Sequence, residues 1–164
     1  MTSKVKAVPE GYHTATPYLA LQDTARAIDF YKQVFGAKEL MRMNAPDGKV
    51  SHAEIKIGDS VLMLSSAPPS TGLQTPESIG GSTVSIFLYL EDVDTVFNRA
   101  VSAGSKVIQA PANQFWGDRY GRLTDPFGHC WSLATHIEDV APEEMGRRAQ
   151  ELAAKAAKRA QAGG

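Results

Sequence analysis

Leu19-Ala20-Leu21-Gln22-Asp23 returns later in the chain as Leu88-Tyr89-Leu90-Glu91-Asp92. Each copy is a short apolar run that stops on an aspartate, the residue type that caps the start of a helix. The helical spacing follows in both places. After Asp23, Ile28, Tyr31 and Phe35 fall at i, i+3 and i+7 with Ala27 and Val34 beside them. After Asp92, Val93, Val96, Phe97 and Ala100 fall at i, i+3, i+4 and i+7. Gly36 and Gly104 stand where a left-handed residue ends a helix, and Lys38 and Lys106 then open a short strand.

Outward from these anchors the rest of each unit is strand. His13–Leu21 reads as a first strand with Pro17 as an edge or bulge residue, and Lys38–Met43 as a second. Pro46-Asp47-Gly48 is a turn, and Val50–Ile57 alternates Ala53, Ile55 and Ile57 against His52, Glu54 and Lys56. Ser60–Ser65 is the fourth strand. In the second unit, Thr83–Leu90 and Lys106–Gln109 are strands, and two more flank the turn Asp125-Pro126-Phe127-Gly128. The spacing predicts an α+β fold of two tandem βαβββ modules, 12–66 and 83–137. A Pro-, Gly- and Ser-rich linker or lid spans 67–82. The segment 138–164 is predicted to be a partly packed C-terminal helix, starting at Asp139 or Pro142 and running to about Gln161, with a disordered end. Its acidic first turn and basic last turns suit the helix dipole. Neither half buries both faces of its sheet alone, so the halves share a core or exchange with a second chain.

Composition excludes several classes of function. A hydrophobic fraction of 43% and a net charge of −1 describe an ordinary globular chain with no basic field for nucleic acid and no attraction to anionic membrane. No apolar run approaches a membrane span, and the single cysteine, Cys130, forms no intrachain disulfide, so a cytoplasmic location is expected.

No phosphate loop, GxSxG elbow, CxxC or HExxH is present. Cys130 and His129 are strand neighbours and point to opposite faces, which favours a plain buried cysteine over a nucleophilic pair. His52 and Glu54, two apart on a strand, share a face and form a candidate metal pair, with His13 or His136 as a third ligand. The plainer reading, and the favoured one, is that His52, Glu54 and Lys56 form the polar side of a half-exposed strand. Trp116, Asp118, Tyr120 and Arg122 share one parity if their segment is a regular strand. Trp, Tyr and Arg bind flat or anionic ligands by stacking and forked hydrogen bonds. The alternative is an amphipathic strand whose Asp and Arg pair at the surface.

Two motifs, Ala27-Ile28-Asp29-Phe30-Tyr31-Lys32-Gln33-Val34-Phe35-Gly36 and Asp125-Pro126-Phe127-Gly128-His129, resemble the vicinal oxygen chelate superfamily. That superfamily includes glyoxalase I, extradiol dioxygenases and the bleomycin resistance protein, and the similarity reaches to its phosphonate-operon, glyoxalase-like branch. The resemblance implies cup-shaped mixed sheets. In metal-dependent members it also implies four ligands, one from the first and one from the last strand of each module. Those positions are Thr16, Met63, Ser85 and Ser132 here. None is His, Asp or Glu, so the expectation is no metal cofactor and no catalysis of the metal-dependent kind. What remains is a ligand-binding cleft lined by Thr16, Tyr18, Met63, Ser85, Phe87 and Ser132, with Trp116, Tyr120 and Arg122 at its mouth. The expected partners are a small organic ligand and a second copy of the chain, as in the metal-free bleomycin resistance protein. The alternatives are an enzyme of glyoxalase, isomerase or dioxygenase type with a divalent ion at His52 and Glu54, and a dimeric interaction module that binds nothing.

Overall fold

In the computed structural model, which describes residues 5–67 and 69–162, each half of the chain forms a four-stranded sheet backed by one helix. The first half runs β1 (Tyr18–Leu21), α1 (Thr24–Phe35), β2 (Lys38–Asn44), β3 (Val50–Ile57) and β4 (Ser60–Ser66). A 3-10 turn at Pro69–Thr71 and a one-turn helix, α2 (Pro76–Ile79), connect it to the second half. That half runs β5 (Ser85–Tyr89), α3 (Val93–Ser102), β6 (Lys106–Asn113), β7 (Asp118–Thr124) and β8 (Cys130–His136), and α4 (Pro142–Ala162) follows. The sheet orders are β1-β4-β3-β2 and β5-β8-β7-β6, with the first pair of each parallel and the others antiparallel. The architecture is the expected α+β duplication.

The duplication holds at the level of single hydrogen bonds. Asp23 and Asp92 are both N-caps, accepting from the backbone N–H groups of Arg26 and Thr95 at 3.0 Å each. Tyr18 lies opposite Met63 in the first parallel pair, and Phe87 lies opposite Ser132 in the second.

Several local expectations change. The first strand begins at Tyr18 rather than His13, because Pro17 lacks the N–H that would extend the ladder; Thr14 and Thr16 therefore lie in the approach to the sheet. β6 runs on to Asn113 through Pro111, which an edge strand tolerates. The connecting segment is not a featureless lid. Thr75 caps α2 by accepting from Ser78 N–H, Gly80 closes it in the left-handed region, and Pro76 is buried. Pro68, within the 67–82 linker, and residues 1–4 and 163–164, which include the end of the tail expected to be disordered, lie outside the described residues.

The two modules join within one chain through a buried aromatic cluster. Phe30, Tyr31 and Phe35 of α1 pack on Phe127 and Trp131 of the second half, with Phe35 and Trp131 ring centroids 4.5 Å apart. Asp125 sits inside this cluster. Its Oδ1 accepts from the backbone N–H groups of Phe127 and His129, and its Oδ2 accepts from Tyr31 hydroxyl at 2.7 Å and Trp131 Nε1 at 2.8 Å. Burial, reinforced by the Asp125 carboxylate, holds the Tyr31 hydroxyl well above its ordinary pKa. A second tie runs from His129 Nε2, which donates to the Ala20 carbonyl at 3.0 Å. His129 thus faces the module junction. Cys130, its neighbour on the other face, lies 4.0 Å from the Thr124 hydroxyl.

Candidate functional site

With Leu62, Leu64, Leu123, Trp131 and Leu133 turned to the helices, strand alternation directs the intervening side chains to the opposite face of each sheet. In the second module this face carries Ser85, Phe87 and Tyr89 from β5, Asp118, Tyr120 and Arg122 from β7, and Ser132 and His136 from β8.

The structure brings most of the expected second-module residues into one connected surface. Ser132 hydroxyl lies 2.9 Å from that of Ser85 and 3.1 Å from that of Tyr120. Tyr120 stacks on Phe87 with centroids 5.7 Å apart, and Phe87 leans on Tyr89 at 4.9 Å. Trp116 meets the Tyr120 edge at 5.8 Å. Trp116 belongs to the β6–β7 turn rather than to a regular strand, which corrects the parity argument, yet its indole still reaches this face. Arg122 pairs in register with Ser132. It does not pair with Asp118, as an amphipathic strand would have it.

Asp118 instead organises the aromatic end, and spacing alone did not assign it this role. It is 3% exposed and accepts from Tyr89 hydroxyl at 3.1 Å, Trp116 Nε1 at 2.9 Å and His136 Nδ1 at 2.8 Å. Burial and the hydrogen bond to Asp118 raise the Tyr89 pKa. His136 also donates through Nε2 to Asp139 at 2.9 Å, so both ring nitrogens face carboxylates. These two contacts, Asp139 first and then Asp118, hold the imidazolium above the ordinary histidine pKa. A raised folded-state value means that the contribution to stability is complete below the ordinary pKa and is lost as pH climbs through the folded one. Melting temperature recorded from pH 6 to 9 is therefore expected to fall more steeply for the natural chain than for His136→Gln. A difference between the two that does not vary with pH would contradict the assignment.

The first-module positions form a separate group. Glu54 accepts from the Tyr12 hydroxyl, and its other oxygen lies 3.5 Å from His52 Nε2. Tyr18 stacks on His52 and places its hydroxyl 3.4 Å from Nδ1. Thr16 is not on a strand face; its hydroxyl is 3.4 Å from the His13 carbonyl. With Met63 and Glu54 it borders a shallow cavity of about 390 Å³.

A divalent ion at the four positions named by the resemblance finds poor donors. Ser85 and Ser132 hydrogen-bond to each other, Thr16 lies in a loop, and Met63 offers a thioether, so charge compensation is lacking. Among the described residues, no three His, Cys, Asp or Glu side chains converge on a point that would hold a metal. His52 and Glu54 are close, but His136 is engaged by Asp118 and Asp139.

Comparison with known proteins agrees with this architecture. A protein of Mycobacterium tuberculosis, itself uncharacterized, is 45% identical over 133 residues, covering 79% of this chain and 78% of that one. The crystal structure of TioX from a Micromonospora species matches with 27% identity and a TM-score of 0.59, covering 75% of this chain and 99% of that one. The X-ray structure of an Arabidopsis thaliana gene product matches with 28% identity and a TM-score of 0.63, covering 75% and 98%. The family model matches residues 12–133, the first module and the second as far as the middle of β8. The chain belongs to the Glyoxalase/Bleomycin resistance protein/Dioxygenase superfamily.

Proposed function

We propose that this chain is a metal-independent small-molecule binding protein that works as a cytoplasmic homodimer and sequesters its ligand, in the manner of a resistance protein. The reading is carried by the second-module face. Phe87 and Tyr89 are 46% and 66% exposed, although a hydroxyl network and a buried carboxylate hold the rings around them in place. Exposed apolar rings gathered in one patch mark an interaction surface. Here they are interleaved with hydroxyls, the mixture that suits an organic ligand. The face is open on one side, and a second copy supplies the missing wall of a paired cleft.

Isothermal titration against aromatic and glycopeptide antibiotics tests the reading. Saturable heat from at least one compound, lost in Tyr120→Ala, is expected; silence across the panel would leave a dimeric module that binds nothing. The closeness of His52 and Glu54 supports a second reading, a metal-dependent enzyme of glyoxalase, isomerase or dioxygenase type. Elemental analysis after purification without a polyhistidine tag separates the two. Stoichiometric Ni, Zn, Fe or Mn that disappears in Glu54→Ala would replace the first reading with the second.

A further inference from the structure

Arg122 is the feature of the site that the binding proposal leaves unexplained. It is half-buried, and its guanidinium has no hydrogen-bond or ion-pair partner among the described residues. Arg119, three positions earlier and on the opposite face, shows the usual arrangement: Asp94 holds its guanidinium with contacts of 2.5 and 2.7 Å. The carboxylate that shares a strand face with Arg122 is Asp118, four residues away, or about 13 Å along a strand at roughly 3.3 Å per residue. Asp118 is already occupied by Tyr89, Trp116 and His136. With no carboxylate of the described residues to hold it, the Arg122 fork is available to an anion from solution.

What surrounds Arg122 defines that anion. Directly across the ladder is Ser132, whose hydroxyl joins Ser85 and Tyr120. Two residues along the same face, about 7 Å away at strand spacing, Tyr120 begins the aromatic surface with Phe87. The face therefore has a cationic, hydroxyl-bearing end and a stacking end. Resting on the proposed binding role, we infer that the ligand is an aromatic anion. Its carboxylate is taken by the Arg122 fork and the Ser85 and Ser132 hydroxyls, while its ring system lies on Phe87 and Tyr120. The guanidinium supplies the positive charge at positions whose side chains are too weak as donors to hold an ion. A planar carboxylate matches the two parallel N–H donors of arginine, and the neighbouring hydroxyls donate to its remaining lone pairs.

Naphthalene-2-carboxylate and its isosteric neutral amide, naphthalene-2-carboxamide, are the probes. Dissociation constants are measured by titration calorimetry, with amide chemical shifts of Tyr120 and Ser132 locating the site. The carboxylate is expected to bind at least tenfold more tightly than the amide. Arg122→Met should abolish that preference while leaving the amide within about twofold of its original affinity; Arg122→Lys, which keeps the charge and loses the fork, should fall between. Unchanged melting temperatures are the folding control. Equal affinities, or an anion preference that survives Arg122→Met, would overturn the inference and leave aromatic binding standing. Binding of neither probe at millimolar concentration, together with a silent antibiotic panel, would remove the binding role itself and this inference with it.

Discussion

Asp125→Asn is expected to destabilise the protein by roughly 3 kcal/mol, because it weakens the one carboxylate on which the module junction converges. The amide oxygen of asparagine continues to accept from the backbone N–H groups of Phe127 and His129. Its NH2 group then replaces Oδ2, which accepts from Tyr31 hydroxyl and Trp131 Nε1. Tyr31 can reverse its hydroxyl and accept, but the indole N–H of fully buried Trp131 is left without an acceptor. For a chain of this length the loss corresponds to a fall in melting temperature of roughly 6–12 °C. Tyr31→Phe removes a single bond and leaves no new donor stranded, so it should cost only about 1–2 kcal/mol. A melting temperature for Asp125→Asn within about 2 °C of the natural chain would show that the carboxylate is replaceable and that aromatic packing alone holds the modules together.

Gly117→Ala should be comparably damaging for a different reason. The residue has φ +98, and an added Cβ would lie 2.0 Å from the Glu138 carbonyl oxygen. The left-handed backbone alone costs a residue with a Cβ about 1–2 kcal/mol. The clash must be relieved by moving the strand exit, where Ile137 N–H and Glu138 N–H both donate to the Gly117 carbonyl at 2.9 and 3.0 Å. Losing these adds about 1 kcal/mol each, for a total of roughly 3 kcal/mol. Trp116 is the preceding residue and reaches Asp118, so the substitution should also disturb the aromatic end of the candidate site. Thermal melting and tryptophan fluorescence report the two effects together. A variant as stable as the natural chain, with an unshifted emission maximum, would mean that the exit relaxes freely.

The two effects fall on opposite ends of the hairpin made by β7 and β8. At its turn the hairpin carries Asp125 and His129, which reach into the first module; at its open end it carries Asp118 and His136, which shape the candidate site. One supersecondary unit thus serves both junction and site. Substitutions that face the first module, such as at Asp125, should act on stability with little change in ligand preference, and those on the sheet's opposite face, such as at Arg122, should do the reverse.

The fold was legible in the chain because its determinants are local and occur twice. Asp23 and Asp92, Gly36, and the apolar spacing of Ile28–Tyr31–Phe35 act within one or two helical turns, where residue type decides backbone conformation. Alternation on β3 and β8 likewise separates the helix-facing side chains from Glu54 and Ser132 without reference to any other element. Pro17 shows the limit of such reading: whether proline bends or ends a strand depends on which neighbour its missing N–H would have met. Tertiary structure alone decided the rest. That Asp118 bonds His136 instead of Arg122 and that Asp125 accepts from a tyrosine of the other module both depend on contacts between residues distant in sequence or across a ladder. A side chain's partner is set by strand register and packing, which no local propensity encodes. Local sequence accounts for the two modules, and their assembly in space is what leaves Arg122 beside Ser132 without a partner among the described residues.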